Sequence, residues 1–163
     1  MPVRRLAANE RVKDDLGRVA LERGPIVYCV EGIDNSGVDN VANILIPDDA
    51  SLSTDYKGDL LNGVTVISGD VKLVSRPQSS KETIVKPHRL TAVPYYARAN
   101  RGSTPMAVWV LRDPGRAVLP PLPSIATAST VTSSTGEGNF QALRDQIEPA
   151  RSADASHGVF NWG

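Results

Sequence analysis

At 163 residues the chain is long enough for one well-buried domain with some chain left over. Hydrophobic residues make up 40% and charged residues 22%, which argues against a disordered chain, and 18 basic residues against 18 acidic ones offer a phosphate backbone no long-range attraction. No apolar run approaches the ~20 residues of a membrane span, and Met1-Pro-Val-Arg-Arg5 leads into no signal-peptide core, so a soluble chain with a lean to the cytoplasm is expected.

The predicted elements are short β-type runs. Val3 and Leu6 lie in an opening run, and residues 18–21 follow, with Val19 and Leu21 on one face. Arg23-Gly24-Pro25 interrupts this run. Residues 26–30 are then nearly continuously apolar, with aromatic and β-branched members, as expected of a strand buried on both faces. Asp34-Asn-Ser-Gly37 supplies turn conformations that end it. Further strands are expected at residues 42–46, 64–67, 71–74, 90–97 and 106–111. Strands of this length punctuated by Gly, Pro, Asn and Asp predict a mainly β fold, an antiparallel β-sandwich of jelly-roll-like type.

A change of composition marks where this unit should stop. Asp113-Pro114-Gly115 signals a turn, and Pro120-Pro121-Leu122-Pro123 is a stiff extended stretch, so residues 1–113 read as the sandwich and 114–123 as a linker. Residues 124–163 begin rich in Ala, Ser and Thr, and are few for an independent core. They read as a disordered appendage or as the start of a second domain.

The residues that carry chemistry invite structural readings. Cys29 is the single cysteine; it can form no internal disulfide, and it lies in an apolar strand with no neighbouring histidine to activate it. His88 and His157 lack ligand spacing to each other or to Cys29, so no metal site is expected. Asp34-Asn-Ser-Gly-Val-Asp39 has Leu45 where a calcium-binding EF-hand loop needs glutamate, and reads as a turn. The adjacent pairs Asp14 with Asp15 and Asp48 with Asp49 read as solvated surface rather than as carboxylates facing across a cleft. No catalytic residue is assigned. Tyr95, Tyr96, Arg98 and Trp109 form the candidate sugar-binding or domain-docking surface. If the strand runs through 97, Tyr95 and Tyr96 point to opposite faces, and Arg98 shares the face of Tyr96.

Several separated segments are similar to one known family. Met1-Pro-Val-Arg-Arg5, Gly17-Arg-Val-Ala-Leu21, Gly24-Pro-Ile-Val-Tyr-Cys-Val-Glu31, Pro94-Tyr-Tyr-Ala-Arg-Ala-Asn-Arg-Gly102 and Met106-Ala-Val-Trp-Val110 resemble, over roughly residues 1–111, the β-sandwich that follows the catalytic barrel of glycoside hydrolase family 127. That resemblance implies an (α/α)6 barrel elsewhere. It also implies removal of terminal β-L-arabinofuranose by a zinc-bound cysteine nucleophile with a glutamate, and none of those barrel positions has a counterpart here. Cys29 therefore belongs to the accessory strand rather than to the reactive centre, and no cofactor is expected in this chain. Ala142-Leu-Arg-Asp-Gln-Ile-Glu-Pro149, Ser152-Ala-Asp154 and Phe160-Asn-Trp162 resemble the opening of a discoidin-like domain, although Arg144-Asp145-Gln146 replaces its usual Asn-Asp-Gly turn. On this reading both domains are incomplete, and a sandwich missing strands is prone to self-association through exposed edges.

The expected function is a non-catalytic accessory region of a family 127-like enzyme, with the barrel as its partner in cis or on a separate chain. The alternative is an autonomous carbohydrate-binding module for arabinose- or galactose-containing glycans, using Tyr95, Tyr96 and Trp109. A nonfunctional gene fragment is the residual reading.

Overall fold

In a computed structural model of the chain, residues 1–77, 80–122 and 130 are described. They fall into two compact units, Met1–Ser75 with Thr83–Leu119, and Arg76–Glu82 with Pro120–Gly163. Little of the second unit is described. Within it, the Arg76 guanidinium donates to the Pro120 carbonyl at 2.9 Å. Apart from Thr130, the expected discoidin-like segment at 124–163, with His157, Phe160 and Trp162, lies outside the described residues.

The first unit is built from nine strands: β1 (Val3–Ala7), β2 (Arg18–Arg23), β3 (Ile26–Glu31), β4 (Ile44–Leu45), β5 (Leu52–Lys57), β6 (Val64–Ser75), β7 (Ile84–Pro94), β8 (Met106–Ala107) and β9 (Val110–Leu111). Among the described residues there is no α-helix, only short 3-10 turns, and the mainly β fold is as the sequence leads one to expect. Pairing is antiparallel except for one bridge, Leu45 with Leu111, where β4 and β9 run parallel. The partnerships β2–β9, β9–β4, β4–β6, β6–β7, β7–β3 and β3–β2 close the sheet on itself. β1 is added outside β2 and β5 outside β6.

Closure buries both faces of the second half of β3 and of the strand segments beside it. Tyr28 and Val30 of β3 join Val19, Leu21, Ile44, Ile67, Leu73, Leu90 and Ala92 in the main core, whereas Cys29 between them faces a second cluster with Val64, Val66, Val93 and Ala97. Burial on both faces, expected over residues 26–30, thus holds for 28–30, whereas Val27 is exposed and Ile26 only partly buried.

Several strands differ from expectation. Residues 64–67 and 71–74 are one twelve-residue strand, because Ser68-Gly69-Asp70 is extended rather than a turn. Gly69 sits opposite Leu52 and Leu90, and a Cβ there would lie 2.6 Å from Leu52 Cδ2 and 2.8 Å from the Ser51 carbonyl oxygen. The glycine is thus required by the close approach of β5. Gly69→Ala is expected to push β5 outward and destabilise by about 1–3 kcal/mol in urea denaturation, with hydrogen exchange quickened first in β5. β7 begins at Ile84, well before residue 90. Pro87 is tolerated because this half of β7 bonds only to β6, so the missing N–H falls on the unpaired side. Residues 42–46 divide into a 3-10 turn, Val41–Asn43, and the two residues of β4. Residues 106–111 break at Val108-Trp109, since β8 pairs with β3 while β9 pairs with β2 and β4. β5 escapes the sequence reading entirely, as its residues Ser53 to Lys57 are exposed and carry no apolar alternation.

Candidate functional site

Cys29 pairs in register with Val93 and is buried among valines and Ala97. Burial, reinforced by the Glu31 carboxylate, pushes its thiol up from 9.0 to about 11. Two pH units mean about a hundredfold less thiolate at pH 8 than in an ordinary cysteine. Disulfide-exchange labelling of the native chain is therefore expected to be at least about a hundredfold slower than in 6 M guanidinium, where the ordinary thiol is restored. Equal rates would contradict the inert, structural reading of Cys29.

The polar centre of the domain lies at the end of the same strand. Glu31 closes an apolar run, so its side chain is carried inside, 2% exposed. One carboxylate oxygen accepts the Ala99 N–H at 2.8 Å and the other accepts from Arg101 Nη2 at 2.9 Å. The Arg101 fork also donates from both terminal nitrogens to the two oxygens of Asp34, each at 2.5 Å. These bonds, Asp34's first, raise the guanidinium's proton affinity and hold it charged.

Asn35 extends the assembly to β7. Its amide nitrogen donates to the carbonyls of Glu31 and Thr91, both at 2.8 Å, and its oxygen accepts the Thr91 N–H at 3.1 Å. Those carbonyls fix the amide's orientation, so the His88 Nε2 that lies 3.2 Å from the Asn35 oxygen must carry its proton. Desolvation, aided by Lys86, lowers the histidine's pKa and favours the neutral ring in that tautomer.

This assembly shapes the segment that bears the expected surface. Ala99 adopts a left-handed backbone at φ 60°, and its N–H is held by Glu31. Asn100 bonds back to the Ala97 carbonyl. Tyr95 and Tyr96 do not alternate across a strand as expected: β7 stops at Pro94, and a 3-10 turn, Tyr95–Ala97, leaves both rings exposed, at 42% and 68%. Nor does Arg98 share the face of Tyr96. Its guanidinium stacks 5.2 Å over the Tyr95 ring. Tyr28 is buried within the core; its phenol donates to the Thr65 carbonyl and is raised in pKa chiefly by burial. Trp109 is half-buried at the β8–β9 break, with no ring contact to the tyrosines. The structure thus brings Tyr95, Tyr96 and Arg98 together on one turn and leaves Trp109 apart.

The zinc centre implied by the family resemblance finds no fit here. Among the described residues no three His, Cys, Asp or Glu side chains are grouped to hold a metal, and the one buried thiol is shifted away from the thiolate form a zinc ligand needs. The sequence marks Asp34 only as a turn residue, and assigns Glu31 and Arg101 no role in a site. The signal was a carboxylate ending an apolar strand and an arginine seventy residues later, which only the fold juxtaposes.

Comparisons with known proteins agree on one assignment. Residues 3–111 match the glycoside hydrolase family 127 C-terminal domain. A non-reducing end β-L-arabinofuranosidase of Bifidobacterium longum subsp. longum is 34% identical over 125 residues, covering 69% of this chain and 18% of that protein. A GH127 β-arabinofuranosidase structure is similar at TM-score 0.67 and 39% identity, covering 74% of this chain and 19% of that one. The GH127 β-L-arabinofuranosidase of Geobacillus stearothermophilus T6 is similar at TM-score 0.61 and 41% identity, over 68% of this chain and 18% of that one. The chain spans less than a fifth of the length of each of these relatives.

Proposed function

The chain belongs to glycoside hydrolase family 127, in which it corresponds to the C-terminal domain, and from that premise we propose that it is a non-catalytic accessory domain supporting the catalytic barrel of a β-L-arabinofuranosidase-like enzyme. The observation that carries this reading is the match to the family's C-terminal domain across 3–111, combined with a buried, high-pKa Cys29 that is unsuited to nucleophilic attack. Glu31 is likewise committed, since both its oxygens are bonded to Ala99 and Arg101.

Tyr95, Tyr96 and Arg98 are the docking surface in this reading. An exposed aromatic pair with a stacked arginine is the composition that interface centres favour. The purified chain is expected to release no nitrophenol from an aryl β-L-arabinofuranoside, with or without added zinc. Hydrolysis abolished by Cys29→Ser would overturn the non-catalytic assignment. Binding to the separately produced barrel of a family relative, followed by calorimetry, is expected to weaken at least about tenfold in Tyr96→Ala with Arg98→Ala. Unchanged affinity would remove the docking role from this turn.

A further inference from the structure

The outer face of β6 alternates out from Val64 and Val66, through Ser68, Asp70 and Lys72, to Val74. It is apolar and covered at both ends but polar between them, and neighbouring strands match it. In register, Ser53 of β5, Ser68 of β6 and Thr91 of β7 lie side by side. At about 4.8 Å between strands, the three residues span about 10 Å across the sheet, the scale of one or two sugar rings. They line a cleft of about 670 Å³ together with Asp34 and, from the connection after β5, Asp59 and Leu60. This is the volume range of small-molecule sites.

The lining discriminates among ligand classes. Asp34 is neutralised by Arg101 outside the cleft's own lining. Arg89 is likewise paired with Asp70 outside the lining, and Lys57 with Asp55 within it, which leaves Asp59 as the one unpaired charge among the described lining residues: an anion is disfavoured, and a lone carboxylate is too few ligands for a metal cation. Among the described residues, no hydrogen bond occupies the hydroxyls of Ser68 and Thr91 or the Asp59 carboxylate, and Ser53 donates only to the Ser68 carbonyl at 3.4 Å. Leu60, packed on the second cluster, contributes a small apolar wall. Uncommitted hydroxyls and one carboxylate acceptor, beside a patch for C–H groups, fit a polyhydroxylated molecule. We propose that this cleft, separate from the Tyr95–Arg98 turn, binds a neutral monosaccharide-sized polyol, with Ser68, Thr91 and Asp59 as its principal hydrogen-bonding groups.

The test is an amide-shift NMR titration of the full chain with L-arabinose and D-galactose, with sodium sulfate and calcium chloride run in parallel. Saturable shifts in the millimolar range are expected for at least one sugar, confined to residues 53–60, 66–68 and 89–91. They should weaken about tenfold in Ser68→Ala with Thr91→Val, two near-isosteric changes that keep the sheet, and persist in Tyr96→Ala. Absence of saturable shifts with both sugars, shifts centred on Tyr95 and Tyr96 instead, or equal shifts with sulfate or calcium would each overturn the assignment. None of those outcomes bears on whether the domain docks to a barrel.

Discussion

Replacing Arg101 by methionine is expected to destabilise the domain by about 3–5 kcal/mol, the range seen when one partner of a buried ion pair is removed. Glu31 cannot follow its lost partner into water, because the strand that carries it is fixed on both faces by Tyr28, Cys29 and Val30. With Arg101 itself 20% exposed, the lower half of that range is the better expectation. Asp34 would also lose its bidentate partner, and the Glu31 carboxylate that holds the left-handed Ala99 would lose its counter-charge. Urea denaturation should show a lower midpoint with an unchanged slope. Glu31→Gln should cost only about 1–2 kcal/mol, because the amide oxygen still accepts one bond and no buried charge is orphaned. Adding Arg101→Met to Glu31→Gln should then be far less harmful than Arg101→Met alone, a coupling that a double-mutant cycle reads directly. The exposed Arg112–Asp48 pair provides the contrast. It is also bidentate, at 2.8 and 2.9 Å, yet lies in solvent, and Arg112→Met should leave the midpoint nearly unchanged. If the two arginine variants behave alike, burial is not what gives the Glu31–Arg101–Asp34 assembly its weight.

What the sequence makes legible follows from periodicity. The runs around Val3, Val19 and Ile26 are strands where their patterns place them, since apolar residues there either alternate or fill both faces. Gly69 and Pro87 mislead for opposite reasons. A glycine between a serine and an aspartate reads as a turn, but here it makes room for β5. A proline reads as a strand's limit, but here it sits where β7 is paired on one side only. The site is less legible than the fold. The Tyr95-Tyr96 pair announces a surface, yet its geometry is set by Glu31 and Arg101, whose partnership is separated by seventy residues and carries no local signal. The hydroxyl row Ser53, Ser68 and Thr91 exists only through register, and a one-residue slip of either neighbour would scatter it.

The end of the domain is the second place where a long-range bond decides stability. The composition shift at Asp113-Pro114-Gly115 suggests that the sandwich stops there, but the chain beyond it remains bound to the first unit through Leu119. Asp113 caps a 3-10 turn, Pro114–Arg116, by accepting the Gly115 N–H. Arg116 then donates to the Lys13 carbonyl and offers its own carbonyl to Arg18. Asn43, 4% exposed, grips Val118 twice, donating to its carbonyl at 2.7 Å and accepting its N–H at 2.9 Å, in the manner of a neighbouring strand. The grip lays Ala117 and Leu119 over Leu45, Val74 and Leu111. A chain ending after Asp113 would uncover that third cluster and leave the Asn43 amide without its partners. One partly buried leucine contributes about 1–2 kcal/mol, and an unsatisfied buried amide costs about 1–3. A version comprising residues 1–113 is therefore expected to be about 2–4 kcal/mol less stable to urea than one comprising 1–119. Asn43→Ala in the longer version should reproduce roughly half of that loss, because it frees residues 117–119 without removing them. Equal midpoints for the two lengths would show that the domain's core is complete at Asp113 and that Ala117 and Leu119 merely rest on it. A large loss would extend the structural domain to Leu119, eight residues past the last position matched by the family.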